Sequence, residues 1–101
     1  QSSKGSTALM DAADQGHDRV VELLIRHGAA INLQDSNGCT ALMLAADQGQ
    51  ERVVDLLLQH GTEINLQDNK GRPALMLAAI DGHEIVVDTL IRHGAEVNLQ
   101  K

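Results

Sequence analysis

The chain has 101 residues, a formal net charge of −6 at pH 7 and no phenylalanine, tyrosine or tryptophan. This length fits one domain, and the acidic balance argues against nucleic acid as a partner because phosphate binding depends on clustered lysine and arginine. No stretch approaches the roughly 20 apolar residues of a membrane span, so we also expect no membrane partner.

The first predicted elements are two short helices. From residue 7 the apolar residues follow helical spacing, with Thr7 placed to cap the first turn and Gly16 placed to end the helix. Residues 18–27 are predicted to form the second helix. Its apolar stripe is Val20, Val21, Leu23 and Leu24, and Asp18 stands at the positive end of the helix dipole. Helices this short are marginal alone in water, so packing between elements must hold them.

A turn signal, DSNG at residues 35–38, follows, and then the whole pattern recurs. A shift of 33 residues lays TALM at 7–10 on TALM at 40–43 and on PALM at 73–76. A fixed period in this range is typical of stacked repeat proteins. We predict one domain over residues 1–101, built of three repeats at about 2–34, 35–67 and 68–101.

The central repeat reads DSNGCTALMLAADQGQERVVDLLLQHGTEINLQ, which resembles the ankyrin repeat. The shared features are the D-x-x-G turn, the threonine and leucine that open the first helix, the paired alanines, valines and leucines, and the glycine and asparagine after them. The resemblance implies an all-α repeat solenoid of stacked helix-turn-helix repeats joined by hairpin-like β-turn fingers. One departure is Pro73, which stands where Thr7 and Thr40 cap a helix, so we expect a weaker start there by about 0.5–2 kcal/mol.

Neither end of the stack carries a polar capping repeat. Asp11 replaces a leucine of the later repeats, and we expect Asp11 and Thr89 to reduce the exposed apolar surface only in part. Weak self-association through the repeat ends should result, as a two-fold tail-to-tail dimer, which closes, or as a head-to-tail stack. The third repeat places Leu77, Val86, Leu90 and Ile91 on its helices, and we expect at least some of them to face outward, where a fourth repeat would lie.

The histidines and the cysteine do not make a chemical site. His27, His60 and His93 recur once per repeat, about 10 Å apart at the packing distance of neighbouring helices, which is too far to share one ion. Each stands near a helix C-terminus, where a partly positive imidazole is favourable. Cys39 fits a small residue on a turn better than a reactive thiol. We therefore predict no enzyme activity, no metal and no cofactor, and the lone cysteine favours an intracellular location, cytoplasmic or nuclear.

In ankyrin proteins the partner usually lies along the finger tips and the concave face of the inner helices. The resemblance therefore implies a protein-protein interaction module with a protein partner of unknown identity. The alternative is an engineered or minimal ankyrin scaffold without a natural partner, made for folding or assembly studies, which the missing caps and the start at Gln1 favour. Carried over by position, the partner-binding residues are Ser6, Asp14, Gln15, Ser36, Asn37, Cys39, Asp47, Gln48, Asn69, Lys70, Arg72, Ile80 and Asp81.

Three asparagines recur with the repeat period. Asn32, Asn65 and Asn98 each follow Ile or Val and stand eight residues after a leucine, which is similar to the site that the oxygen-sensing asparaginyl hydroxylase modifies in many ankyrin repeats. The resemblance implies that they are hydroxylation sites. A structural role stands beside it, in which the side-chain amide hydrogen-bonds the loop backbone.

Overall fold

A computed structural model describes residues 5–98 of the chain. This part contains six α-helices and no strand, and each repeat contributes one inner and one outer helix. The predicted all-α repeat architecture is confirmed. The inner helices are α1 (Ala8–Gln15), α3 (Ala41–Gln48) and α5 (Ala74–Ile80), and the outer helices are α2 (Asp18–Arg26), α4 (Glu51–Gln59) and α6 (Glu84–Arg92).

The inner helices begin and end where the local sequence dictates. The Thr7 and Thr40 hydroxyls accept hydrogen bonds from the N–H groups of Met10 and Met43 at 3.1 and 3.2 Å, so the predicted caps are present. Pro73 forms no side-chain cap, which confirms that the third inner helix starts without one. Helix α5 also has seven residues where α1 and α3 have eight.

The outer helices end at histidines that reach back to their own last turn. His27 and His93 donate from Nδ1 to the carbonyls of Leu23 and Thr89 at 2.8 and 2.9 Å. These carbonyls lie at the negative end of the helix dipole, and each also accepts the backbone N–H of the same histidine, at 3.1 and 3.2 Å. The predicted structural role for the recurring histidines is thereby confirmed at these two positions.

The core runs through the stack as two rows of helices. Helix α3 packs between α1 and α5, α4 packs between α2 and α6, and each inner helix packs on its own outer helix. Because no aromatic side chain is present, aliphatic residues and methionine fill this space; Met10, Leu42 and Met43 are each 1% exposed. Closely packed protein interiors tolerate little loss of side-chain volume.

Of the four candidates for the outward face of the third repeat, one is exposed. Leu77, Val86 and Leu90 are buried, with 6%, 1% and 0% of their surface exposed, and only Ile91 is exposed, at 44%. Thr89 is half-buried and does not lie on the outer side. Comparison of the copies gives the physical reason: Val20 in the first repeat is 45% exposed, whereas Val53 and Val86, which each follow another described repeat, are 1% exposed. These positions therefore pack back onto the preceding repeat.

The surface that would meet a following repeat is formed by other residues. Met10 and Met43 are buried by the next repeat, and the equivalent Met76, in the third repeat, is half-buried. The same change occurs along both helices of the third repeat. The C-terminal end face consists of Leu75, Met76, Ala79, Val87, Ile91 and Val97.

Candidate partner-binding surface

A buried aspartate organises each finger. Asp35 is 9% exposed, and its carboxylate accepts from the N–H groups of Asn37 and Cys39 at 2.9 and 3.0 Å. Asp68 does the same for Lys70 and Arg72, at 2.9 Å each. A carboxylate that accepts two backbone N–H groups fixes a turn that would otherwise be free to move.

The structure places the predicted site residues in two environments. Eight are exposed at the finger tips or at the C-terminal ends of the inner helices, namely Ser36, Asn37, Asn69, Lys70, Gln15, Gln48, Ile80 and Asp81. Five are half-buried below them, namely Ser6, Asp14, Cys39, Asp47 and Arg72.

Neighbouring finger tips are joined to each other. The Asn69 side-chain amide donates to the Ser36 carbonyl at 2.9 Å, and the Asn69 N–H donates to the Asn37 carbonyl at 3.0 Å. These bonds occupy part of the polar surface that the resemblance offers to a partner. The structure thus brings the second and third tips together as one edge. In the first repeat, Ser6 donates to Asp11 and Gln15 donates to Asp14.

Arg72 folds back onto the base of its finger rather than standing at a tip. Its Nε and Nη2 atoms lie 3.0 and 2.9 Å from Asp68 Oδ2, and the Asp68 side chain is 2% exposed. Burial raises the pKa of Asp68, but the Arg72 N–H, the Arg72 guanidinium and the Lys70 N–H outweigh it and hold the pKa below its ordinary value. Arg72 therefore supports the finger as well as lining the surface.

Two carboxylates meet on the inner-helix surface between the second and third repeats. Burial raises the pKa of Asp47, and a side-chain hydrogen bond with Asp81 and the charge of Asp81 raise it further, while Arg72 and His83 partly oppose them. Two nearby carboxylates repel each other, so the ionised form of Asp47 is disfavoured. This pair therefore favours the approach of a cation, which would offset the repulsion.

A polar side chain at the start of the second and of the third outer helix links that helix to the inner helix of the preceding repeat. Gln50 Nε2 donates to the Asp14 carbonyl at 3.0 Å, and His83 Nε2 lies 2.9 Å from the Asp47 carbonyl, to which it donates. Glutamine and histidine exchange at this position because each supplies one N–H to the same carbonyl. The role is positional, and it explains why no histidine is required in the second repeat.

The Cys39 thiol is not poised to react. Burial raises its pKa to about 11, and the carboxylates of Asp35 and Asp68 add to this shift. A neutral thiol is a poor nucleophile at physiological pH. The geometry agrees with the interpretation of Cys39 as a small residue on a turn.

The outer helices enclose a charged groove rather than a pocket for chemistry. A cleft of about 490 Å³ is lined by Asp18, Arg52 and other polar residues of α2 and α4, and Arg52 Nε lies 2.7 Å from Asp18 Oδ2. The hydrogen bond from Arg52 lowers the pKa of Asp18. Within residues 5–98, no three His, Cys, Asp or Glu side chains are placed to hold a metal ion.

The repeat period, the helix pairs and the finger turns together agree with the family comparison. Residues 9–101 match the ankyrin repeats, in three copies. The chain belongs to the ankyrin repeat family. A search of curated proteins returned no match. Ankyrin repeats are a non-catalytic fold that generally serves as a protein-interaction module, and no helix in the described part of this ankyrin protein is long and apolar enough to cross a membrane.

The recurring asparagines join consecutive ankyrin repeats. Asn32 Oδ1 accepts from the Glu63 N–H at 2.8 Å, and Asn65 Oδ1 accepts from the Glu96 N–H at 3.1 Å. The structural role predicted for these two side chains is confirmed. Asn98, the last residue described, is exposed.

The sequence interpretation expected apolar surface at the end of the array but named only Ile91 among the residues that form it. Leu75, Met76 and Val97 line an open cleft of about 210 Å³ together with Pro73, Ala79 and Glu96. The residue types alone do not reveal it, because the same types line the core in the other two ankyrin repeats. A position-by-position comparison of burial between the copies is the signal that finds it.

Proposed function

We propose that this ankyrin array binds a protein partner across the C-terminal ends of α3 and α5 and the adjoining finger tips. The observation that carries this proposal is Ile80, which is 64% exposed at the last position of α5. The equivalent residues of the first two repeats are Asp14 and Asp47. An isoleucine that replaces an acid and faces solvent adds nothing to the core, whereas apolar side chains of this kind anchor protein interfaces.

The charges around Ile80 indicate the chemistry of the partner. Asp47 and Asp81 form the carboxyl pair beside it, and the half-buried Asp14 adds negative charge along the same surface. A partner segment with an apolar side chain next to lysine or arginine would fill both needs. Its cation would also offset the repulsion between the Asp47 and Asp81 carboxylates.

Selection of peptides from a displayed random library tests the proposal without knowing the natural partner. We expect enrichment of peptides with a bulky apolar residue next to a basic one. Ile80→Asp should weaken their binding about tenfold or more, which corresponds to about 1.4 kcal/mol. Ile85 on α6 is 59% exposed and lies away from the proposed surface, so Ile85→Asp is the matched control and should leave binding unchanged.

A scaffold without a natural partner makes the opposite prediction. Under this alternative, the selection yields no enriched peptides, or it yields peptides whose affinity is lowered equally by Ile80→Asp and Ile85→Asp. Arg72→Glu does not separate the two functions, because Arg72 holds Asp68 and its loss would disturb the finger itself. An intracellular location stays part of the proposal and is supported by a single, unreactive cysteine, Cys39.

Asparagine hydroxylation is a further part of the proposal, from the family resemblance. The enzyme would have to open the Asn65 to Glu96 hydrogen bond before it reaches Asn65, whereas Asn98 is exposed. We therefore expect modification at Asn98 before Asn65 and Asn32. Mass spectrometry after incubation with the asparaginyl hydroxylase measures this order, and an unmodified Asn65 would refute the assignment.

A further inference from the structure

The two ends of this stack carry the two halves of an interface that occurs twice inside it. On one side of each internal junction lie the positions of Met10 and Met43, which are 1% exposed because the next repeat covers them. The third repeat presents the same positions uncovered, as the C-terminal end face. Its residues are therefore already shaped to receive the N-terminal side of an ankyrin repeat.

The first repeat presents the matching half. Ala41, Val53 and Leu57 are the residues that pack against the preceding repeat, with 1%, 1% and 0% of their surface exposed. The equivalent residues of the first repeat are Ala8, which is exposed, Val20, which is 45% exposed, and Leu24, which is half-buried. We call Ala8, Val20 and Leu24 the N-terminal end face.

We propose that a second copy of this chain stacks head to tail, with its N-terminal end face on the C-terminal end face of the first copy. The occupant is chosen by continuity: the second copy would sit on the third repeat as the third repeat sits on the second. Apolar area removed from water drives this contact.

The polar groups of the two ends also match under this operation. His17 occupies the position of Gln50 and His83, and in the stack it would donate to the carbonyl of Ile80, as those residues donate to Asp14 and Asp47. Asn98 occupies the position of Asn32 and Asn65. Its side chain would accept from the Ala30 N–H of the second copy, because Ala30 stands 33 residues before Glu63.

One ion pair is specific to this arrangement. Arg52 pairs with Asp18 across the first junction, with Nε to Oδ2 at 2.7 Å. At the second junction Ile85 stands where Arg52 stands, so the pair is not repeated there. Between two copies, Arg19 would again lie over an acid, Glu84. A tail-to-tail dimer joins two third repeats, so Arg19 of the first repeat would not lie over Glu84.

Asp11 limits the strength of this contact without preventing it. It stands at the position of Leu44 and Leu77, so stacking brings a carboxylate toward an apolar surface. Leu44 remains half-buried inside the stack, and a carboxylate at its position would keep contact with water. The association is therefore weak, and Asp11→Leu should strengthen it about tenfold or more because it restores the internal junction.

Mixing two variants, each blocked at one end, separates the two directions of association. Val20→Glu blocks the N-terminal end face and Ala79→Glu blocks the C-terminal end face; both sites are exposed, and circular dichroism checks that each variant folds. In sedimentation velocity, the weight-average mass of the unmodified chain should rise with concentration beyond two copies, since the interface is heterologous and does not close. Each variant alone should stay monomeric, and an equimolar mixture should stop at two copies.

The control is Ile85→Glu, an exposed site outside both end faces, which should behave like the unmodified chain. Dimers of the Val20→Glu variant alone would overturn the proposal in favour of a tail-to-tail dimer, and an unmodified chain that stays monomeric at high micromolar concentration would overturn it altogether.

A charge exchange gives an independent test. Arg19→Glu should weaken association about two- to fivefold and Arg19→Glu with Glu84→Arg should restore it; failure to restore it would overturn the head-to-tail register.

Discussion

The junction between the first and second repeats and the junction between the second and third bury the same kinds of apolar residue, but different polar side chains join them. The first has the Gln50 bond to the Asp14 carbonyl and the Arg52 to Asp18 ion pair. The second has His83 on the Asp47 carbonyl and a carboxyl pair, Asp47 with Asp81.

The comparison separates what stacking needs from what it does not. Both junctions need a buried methionine and one N–H donor at the start of the outer helix. The first junction stacks without a carboxyl pair and without an exposed isoleucine, because Gln48 and Asp47 stand where the third repeat has Asp81 and Ile80. The features that only the second junction has are therefore available for binding.

The largest expected effect tests the shared part of the junctions. Met10→Ala and Met43→Ala should each lower the free energy of unfolding by about 2–5 kcal/mol, since both side chains are 1% exposed and their removal leaves a cavity. Met76→Ala should have much less effect because Met76 lies half-buried on the end face. Urea denaturation of the three variants measures the difference, and equal losses at all three sites would contradict the assignment of the end face.

Alanine substitution of the glycines that follow the inner helices distinguishes the two junctions, because the neighbouring side chain is a flexible glutamine at the first and a stiffer histidine at the second. Gly16, Gly49 and Gly82 end their turns at φ 77°, 72° and 72°, where a side chain strains the backbone by about 1–2 kcal/mol. A Cβ at Gly49 would lie 2.6 Å from the His83 ring, a Cβ at Gly16 would contact the flexible end of Gln50, and a Cβ at Gly82 would contact nothing within 4 Å.

Alanine at these three positions should therefore destabilise the protein in the order Gly49, Gly16, Gly82. The Gly82→Ala variant is the control, because it reports the backbone strain alone. Thermal denaturation of the three variants gives the order, and equal shifts would mean that His83 and Gln50 move aside freely.

The carboxyl pair should make stability at the second junction depend on pH. The pKa of Asp47 is raised in the folded protein from its ordinary value of 3.8, so the pair contributes stability below that pH, and the contribution is lost as pH rises through the folded pKa. Asp81→Gln copies the first junction and removes two of the causes of the shift. It should raise stability at neutral pH by less than about 1 kcal/mol, because the site is partly exposed and solvent screens the charges.

The gain from Asp81→Gln should vanish as the pH falls below 3.8, where Asp47 is protonated in both states. Asp68 titrates in the opposite direction, but it is present in both proteins and its contribution cancels. Urea denaturation at several pH values gives the two curves. A difference that persists in acid would mean that the effect of Asp81→Gln does not come from the carboxyl pair.

The smallest effect concerns the ion pair of the first junction. Arg52 and Asp18 are both solvent-accessible, with 85% and 38% of their side chains exposed, so salt screens their attraction. Arg52→Gln should lower stability slightly at low ionic strength and leave it unchanged at high ionic strength. Thermal denaturation at two salt concentrations is sufficient, and a loss that is independent of salt would indicate a packing role for the Arg52 stem.

The repeat fold was predictable from the sequence, because the 33-residue period, the threonine caps and the glycine turns each act locally. The sequence did not predict which neighbouring repeat each apolar side chain packs against. Leu77 and Met76 are adjacent apolar residues, yet one packs on the preceding repeat and the other awaits a following one. Helical period places both near the core and does not state which neighbour covers them. The partner-binding positions stay a prediction from the family resemblance, and the role of Arg72 as a support for Asp68 depends on a contact that spacing does not show.

The most direct test of the binding surface is amide hydrogen exchange with and without a selected apolar and basic peptide. We predict that protection increases around residues 47–48 and 80–81 and at the second and third finger tips, and that it does so in the unmodified protein and in the Ile85→Asp control but not in Ile80→Asp. Protection confined to the outer helices, or to the C-terminal end face around Met76, would contradict the account and place recognition elsewhere on the molecule.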